Sequence, residues 1–506
     1  MSGAADPFIA LPAPEERANV TLLTLAFAAW FGLCYGTAAW ASAYIPWRVS
    51  VELPLDVAMP FWPGAALLYV TIGPMMLLAP FVFRDLRGLL PLFAAFMLET
   101  SVGIVCFLLL PIDDAPLACC QPGWAGEVFR VADAMNLHHN NLPSLHVAFA
   151  CTVALGFAPR ASRRGAALLY AWALAVAVST LFTRQHFLAD VVAGMVLAVV
   201  CWRVAGSWAR RPAVVAAFDV ELLCLRNLAR FARRHRRYLV IGIAVLAAGL
   251  PHWRRRRLAR VGFVFLQIVD DLLDGHRQEE GRDAREPLEV ADEMIASLES
   301  GRFAHHDLAR LGAVFREQLL ARGGPQALGQ AISLVRAMRR DRERVLGRVV
   351  STREELLAIH RATFGCSVDL MMLAADSPLR SHDVPLFIDA LGWCSTVRDL
   401  EEDLEQGLVN IPADVFAAAD AESPGAPLPA LAGSLAVCEW LREESVQGAA
   451  LLDRADVQIE KFEGVRGAQL LLRFSRSMRR YSSASSGARR SFASSVGAAT
   501  SGQRTQ

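Results

Sequence analysis

Two short segments carry side chains that could perform phosphoryl chemistry. One reads Asn140-Asn141-Leu142-Pro143-Ser144-Leu145-His146-Val147, and the other Thr183-Arg184-Gln185-His186-Phe187-Leu188-Ala189-Asp190. His186 and Asp190 are four residues apart, so on a helix the carboxylate sits beneath the imidazole. An aspartate so placed fixes the histidine's tautomer and raises its nucleophilicity. His146 could then protonate the leaving oxygen, and Arg130 and Arg184 could hold a phosphate as charge-assisted donors. Polar residues at the ends of apolar segments are ordinary interfacial anchors when taken singly, and His138 and His139 read that way. Two histidines and an aspartate at one membrane face read as a site.

A second set of residues is acidic. Residues 265–277 read FLQIVDDLLDGHR, in which Asp270 and Asp274 share one helix face and Asp271 points about 100° away. Residues 392–412 read GWCSTVRDLEEDLEQGLVNIP, where Ser395, Asp399 and Asp403 form a stripe at four-residue steps. Two acidic stripes on facing helices suit a diphosphate, because Mg²⁺ ions bridge carboxylates to phosphate oxygens and draw charge from the leaving group. Arg398 lies beside the second stripe and could contact the same group. Glu401, Glu402 and Glu405 read as a solvated face. Asp270 does not, because the residues before it are apolar all round and buried carboxylates need cations.

These residues must be positioned by two kinds of element. The chain has 506 residues, 54% of them hydrophobic, with a mean hydropathy of +0.33. That length suits two or three domains. The apolar residues crowd into residues 20–205, in blocks long enough to cross a bilayer. Six spans are expected, near 20–43, 60–83, 88–110, 145–158, 165–183 and 187–205, after an N-terminal tail (1–19). The fourth is short, though it could extend into the loop before it. From 215 to 475 apolar residues recur at three- and four-residue spacing with charged faces between, which predicts a soluble, all-helical domain. Tyr238–Leu250 is apolar but too short to span, and the favoured reading is a buried helix rather than one in the membrane surface. A Pro/Ala/Gly-rich stretch at 417–433 reads as a loop, and the Ser/Arg-rich residues 476–506 as a disordered tail. The fold class is therefore all-α: a transmembrane bundle (20–211) followed by a soluble helical domain.

Arginines give the orientation. Arg84, Arg87, Arg160, Arg163 and Arg164 fall in alternate connections, and Arg203, Arg210 and Arg211 at or after the end of the last span. The other connections carry Glu52, Asp56, Asp113, Asp114 and Glu127 against only Arg48 and Arg130. The positive-inside rule places the arginine-rich loops and all that follows residue 205 in the cytoplasm, and the histidine segments outside. A bacterial inner membrane is the expected location. The net charge of +1 gives no argument for nucleic acid. The ten cysteines show no zinc-type spacing. Cys34, Cys106, Cys151 and Cys201 read as packing residues, whereas adjacent Cys119 and Cys120 could form a disulfide in an outward loop. No cleavable signal peptide is evident, since the first apolar block follows Asp6, Glu15 and Glu16.

PSLHV followed by RQHFLAD resembles the second and third signature motifs of the type 2 phosphatidic acid phosphatase superfamily, in the branch that includes inositol-phosphorylceramide synthases. The resemblance covers about residues 20–205. It implies that His186 forms a phosphohistidine, Asp190 orients it, His146 is the general acid, and Ser144 and Arg184 bind phosphate. The superfamily's first motif is not evident, and the arginine usual six residues before the nucleophile is Thr180 here; Arg184 stands as its substitute. The stretch from about Arg226 to Arg473 resembles the squalene and phytoene synthases, through QIVDDLLD, HRATFGCSVDLMML and RDLEEDLEQGLVNIP. That resemblance implies a class I terpenoid-synthase-like fold, with Asp270, Asp274, Asp399 and Asp403 binding Mg²⁺–diphosphate, Ser395 as a further Mg²⁺ ligand and Arg398 helping. Phe263 and Gln267 replace the tyrosine and arginine usual before the first aspartate, and Gly407-Leu408 replaces Gly-Arg.

The two halves together suggest a bifunctional membrane enzyme acting on prenyl or other lipid phosphates. It would use Mg²⁺ in the C-terminal domain and no cofactor in the N-terminal one, with membrane lipids around it. Hydrolysis and transfer to another alcohol both remain open, as do head-to-head condensation and cyclisation. The alternative is a lipid phosphotransferase with a non-catalytic, lipid-binding helical domain.

Overall fold

The computed structural model describes residues 7–112, 123–135, 141–234, 236–249, 252–277 and 286–479. Cys119, Cys120, His138, His139, Asp113 and Asp114 lie outside the described residues. The described chain is helical, without a β-strand, and divides into two compact units, Met1–Arg226 and Asn227–Gln506.

In the first unit the long helices are α1 (Pro14–Ala43), α6 (Leu86–Leu109), α9 (Arg163–Phe182) and α10 (Leu188–Ala209), with the shorter α7 (Trp124–Met135) and α8 (Leu145–Phe157). Aromatic rings lock three of them together. Phe27 of α1 stacks on Phe93 of α6 at 5.4 Å, and Phe96 meets Phe149 of α8 at 5.2 Å. A polar pair crosses this apolar core: Thr152 of α8 donates to the fully buried carboxylate of Glu99 on α6. In hydrocarbon such a group is tolerated only with a partner inside the bundle.

The expected second span is not one helix. It is α2 (Pro54–Ala58), a 3₁₀ turn at Pro63–Ala65, then α3 (Ala66–Tyr69), α4 (Ile72–Leu77) and α5 (Ala79–Phe83). Pro63, Pro74 and Pro80 cannot donate within a continuous helix, and each lies in the first turn of a new short segment. The expected fourth span is the 13-residue α8, which begins at its Ser144 cap instead of in the preceding loop and runs on only as a 3₁₀ turn to Arg160. Five helices in the described residues are long and apolar enough to cross a membrane: α1, α6, α9, α10 and, in the second unit, α16 (Arg353–Ala374). The apolar character of α16 has a second cause, since its Val368 and Met372 sit in the core of the second unit.

The expected boundary at 211–215 is displaced. α11 (Pro212–Arg234) begins there, but its Val214, Val215, Phe218 and Leu222 pack on the core of the first unit, and Asn19 of α1 donates to Asp219 at 3.4 Å. The division therefore falls inside a helix.

The second unit contains α12 (Arg236–Gly249), α13 (Arg257–Leu273), α14 (Pro287–Ser300), α15 (Asp307–Gly347), α16, α17 (Pro385–Gln406), α18 (Ala413–Glu422) and α19 (Leu435–Glu460). α15 kinks at Gly324, whose φ of 63° suits only glycine readily, just before Pro325. α17 and α19 interlock where Trp393 lies on Gly448; a Cβ there would stand 1.9 Å from the indole. Three expectations are corrected. The stretch 417–433 contains α18 and a 3₁₀ turn at Leu428–Gly433, because an alanine-rich segment favours helix once it packs on α19. Residues 476–479 are helical, so the expected tail lies outside the described residues only from 480. α12 is not buried all round: Tyr238 and Gly242 face inward, whereas Leu239, Val240 and Ile243 are exposed.

Candidate active site

α8 and α10 both begin at the histidine pair, so two helix N-termini favour an anion there. Their approach depends on Gly194, where a Cβ would stand 2.5 Å from the carbonyl oxygen of Ser144. The Ser144 amide donates to the Asp190 carbonyl at 3.1 Å, pinning the start of α8 to α10. Ser144 caps α8, its Oγ accepting from Val147 N at 3.3 Å, which leaves the hydroxyl proton free to donate to a phosphate.

α9 ends in a tight turn that delivers His186. The Thr180 carbonyl accepts from the amides of both Gln185 and His186, and Arg184 takes a left-handed φ of 53°. A non-glycine residue held in that region is a mild strain of the kind that collects at functional sites. The Asp190 carboxylate then has two tasks. Oδ2 accepts from Phe187 N at 2.9 Å, capping its own helix, and stands 3.5 Å from Nδ1 of His186. Both side chains are fully enclosed, and neither ring nitrogen of His186 makes a hydrogen bond: Nδ1 faces the Asp190 carboxylate at ion-pair distance, and Nε2 is unpaired. The His146 ring lies 5.9 Å from that of His186. A buried imidazole backed by a carboxylate, with an open Nε2 and a second imidazole alongside, can accept a phosphoryl group and pass a proton to the departing oxygen.

Ser144, His146, His186 and Asp190 are thus brought together. Arg184 reaches the edge of the same site, where its guanidinium donates to Met59 O at 3.1 Å and its Nε is buried without a partner. Arg130 is not brought in. α7 turns Phe129 and Ala132 to the core and leaves Arg130 about 60% exposed, paired with Glu127. Thr180 offers nothing to a phosphate, since its buried hydroxyl donates to Ala177 O.

Sequence reasoning missed the segment that covers the site. Tyr69, fully buried on α3, places its hydroxyl 2.7 Å and 2.9 Å from the two ring nitrogens of His146, with the rings 4.3 Å apart. Asp56, read only as a loop charge, accepts from Leu188 N at 2.8 Å at the start of α10. The available signal was the string of prolines and glycines in an apolar block, because irregular backbone at membrane depth persists only where it is buried in protein or lines a cavity.

In the second unit, α13 carries Asp270 and Asp271 and ends at Asp274, and α17 carries Ser395, Arg398, Asp399 and Asp403. Gln406 and His276 meet at 3.2 Å, joining the two acidic segments. Loss of hydration raises the Asp274 carboxyl to about 6, and repulsion from Asp271 adds to it; because 42% of the side chain remains exposed, solvent weakens the first of these causes. Asp403 is raised to about 7, first by burial, then by Asp399, Asp341 and Asp274, against a hydrogen bond from Asn410. Carboxylates crowded in this way have the donor chemistry for a divalent cation. Among the described residues, however, no three His, Cys, Asp or Glu side chains are arranged to hold a metal ion by themselves. A cation placed there would therefore need oxygens from elsewhere as well.

Gln267 bridges Asp270 at 3.3 Å and Asp271 at 3.1 Å and reaches the Tyr238 hydroxyl at 3.3 Å, so α12 supplies a phenol beside the acidic pair. Asp271 is paired with Arg234 at 2.9 Å. Asp399 is gripped by Arg398, whose Nε is 2.7 Å away, and Ser395 donates to it at 3.4 Å, so Arg398 is engaged within the stripe. Asp341, which sequence reasoning did not single out, joins the cluster through Arg344 and Asn410.

No curated protein and no solved structure matches the chain. One family model does, over the stretch that holds α8, α9, α10 and both histidine segments: residues 110–212 form a domain of the PAP2 superfamily.

Proposed function

We propose that the first unit is a membrane lipid-phosphate phosphatase or phosphotransferase working through His186. The observation that carries this reading is the enclosed His186–Asp190 pair with its open Nε2 beside His146. Nε2 attacks phosphorus while Asp190 holds Nδ1–H, and the bond to the lipid oxygen breaks as His146 delivers a proton to it. Water, or a second alcohol, then attacks the phosphohistidine with His146 taking its proton. Ser144 and Arg184 are placed to hold the phosphate oxygens. The arginines at 84–87, 160–164 and 203–211 lie at the helix ends remote from the histidines; Arg160 sits over Phe83 and against Gly88. That supports a site on the outer face and a cytoplasmic second unit. Purified protein in lipid nanodiscs, given a panel of lipid phosphates, should release phosphate, or transfer it when an acceptor alcohol is added. His186→Ala should abolish both; full activity in that variant refutes the assignment.

The substrate reading that fits both halves is a prenyl (di)phosphate, with the second unit ionising a prenyl diphosphate. Its support is the pair of acidic segments joined at Gln406–His276, whose raised carboxyls a cation would relieve. In the His186→Ala background, Mg²⁺ with farnesyl or geranylgeranyl diphosphate should yield free diphosphate, lost in Asp270→Ala. No diphosphate in that background leaves the first unit as a phosphotransferase joined to a non-catalytic helical unit.

A further inference from the structure

α12 has two opposed faces, and only one of them is used within its unit. Tyr238, Gly242 and Gly249 lie within about half a turn of one another around the helix. Tyr238 packs on Phe231 at 6.2 Å, Gly242 approaches Leu228, and Gly249 approaches the guanidinium of Arg260. The opposite face carries Leu239, Val240, Ile243, Ala244 and Ala247. Leu239 is 47% exposed, Val240 66% and Ile243 58%, and both alanines are exposed. Three large aliphatic side chains on one exposed stripe are unusual for a surface that meets only water.

The ends of this helix are basic. Arg233, Arg234, Arg236 and Arg237 precede or open it, and Trp253 with Arg254–Arg257 follows it. Arg233, Arg254 and Arg255 are exposed. An apolar stripe between arginine clusters is the pattern of a helix lying in the plane of an anionic leaflet: aliphatic side chains enter the acyl boundary while guanidinium groups meet phosphates. A protein partner for the same stripe would have to tolerate positive charge at both of its ends. The sequence also supplies the surface, because α12 follows the last span of a membrane-embedded unit by one helix.

We propose that α12 is an interfacial helix that docks the second unit on anionic phospholipid. The docking does not depend on what the acidic cluster binds. It would leave that cluster one helix away from the lipid surface, through Tyr238 and Gln267.

The test uses the full chain in nanodiscs of phosphatidylcholine with or without phosphatidylglycerol. Benzoylphenylalanine is introduced in place of Ile243 or Val240, or, as a control, in place of exposed Val457 on α19. On illumination, the probes at 240 and 243 should form adducts with phospholipid, more with phosphatidylglycerol present, and the probe at 457 should not. Ile243→Glu, at an exposed position that the fold tolerates, should abolish the adduct at 240. Arg254→Glu with Arg255→Glu should remove the gain from phosphatidylglycerol. Adducts only with protein, whether a second copy or the first unit, overturn the proposal. So does lipid labelling at 243 no greater than at 457. None of these readouts requires activity, so their failure is distinct from failure of the enzymatic reading.

Discussion

Replacing Tyr69 by phenylalanine removes one oxygen from the site and little else. The ring keeps its place among Ala66, Phe129 and Ala132, and its 4.3 Å contact with His146. What is lost is the hydrogen bond at 2.7–2.9 Å that orients the imidazole meant to deliver a proton. A hydrogen bond between neutral groups contributes ~0.5–1.5 kcal/mol, with somewhat more lost where a buried ring nitrogen is left unpaired. In the transition state the imidazole exchanges a proton with the leaving oxygen, and hydrogen bonds to charged groups run ~1.5–3 kcal/mol. Since each 1.4 kcal/mol is tenfold in rate, kcat should fall about 10- to 100-fold, with KM little changed because Tyr69 does not touch the lipid chain. Phosphate release from a lipid phosphate in nanodiscs, with thermal unfolding measured in parallel, checks this. Tyr69→Phe that unfolds normally and keeps wild-type kcat would refute the positioning role. A fall in kcat matched by an equal fall in folded fraction would reduce it to packing.

Further expectations follow from the same geometry. Asp190→Asn should cut phosphate release by two or more orders of magnitude, on the order of the contribution expected of a general acid–base group, because the His186 tautomer is no longer fixed; steady-state kinetics reads it. Thr180→Arg should not restore a phosphate contact: the position is fully buried, so the variant should lose thermal stability by ~1–3 kcal/mol from overpacking. Gly448→Ala should destabilise the second unit by a similar ~1–3 kcal/mol, since its Cβ meets the Trp393 ring; denaturant titration followed by tryptophan fluorescence reads it. In EDTA, Asp274 and Asp403 ionise near 6 and 7 in the folded chain against 3.8 for an unhindered aspartate, so the folded state keeps protons that the unfolded state releases. The stability of the second unit should therefore fall as pH rises from about 4 to 7 and be lowest above that. Asp403→Asn should flatten the fall, and Mg²⁺ with inorganic diphosphate should offset it, by at least ~2 °C in unfolding temperature.

The helical class and the pairing of His186 with Asp190 were legible in the sequence because both rest on local spacing: four residues apart is a neighbour on any helix. The start of α8 at Ser144 was legible for the same reason, as a serine before an apolar run is a helix cap. Tyr69 was hidden because its block looked like one span on hydropathy alone, and hydropathy does not weigh what Pro63, Pro74 and Pro80 do to the backbone. Arg130 misled in the opposite direction: charge suggested a phosphate ligand, but the periodicity of α7 commits Phe129 and Ala132 to the core and leaves Arg130 on the outside. α12 was misread for a related reason. Apolar content alone suggested burial, whereas glycine at 242 and 249 marks the packed face and the larger aliphatic residues are left outside. Asp341 gave no local signal at all, since it stands among arginines and is linked to Asp403 in three dimensions through Arg344 and then Asn410.

The central claim is that His186 carries the phosphoryl group. Rapid quenching at alkaline pH after mixing the purified protein with a lipid phosphate, followed by peptide mass spectrometry, tests it directly. The account predicts one acid-labile phosphoryl group on His186, absent in His186→Ala and accumulating in His146→Ala when the leaving group is a good one that needs no proton. Turnover with no phosphorylated histidine in either protein, or with the phosphoryl group on another residue, would contradict it.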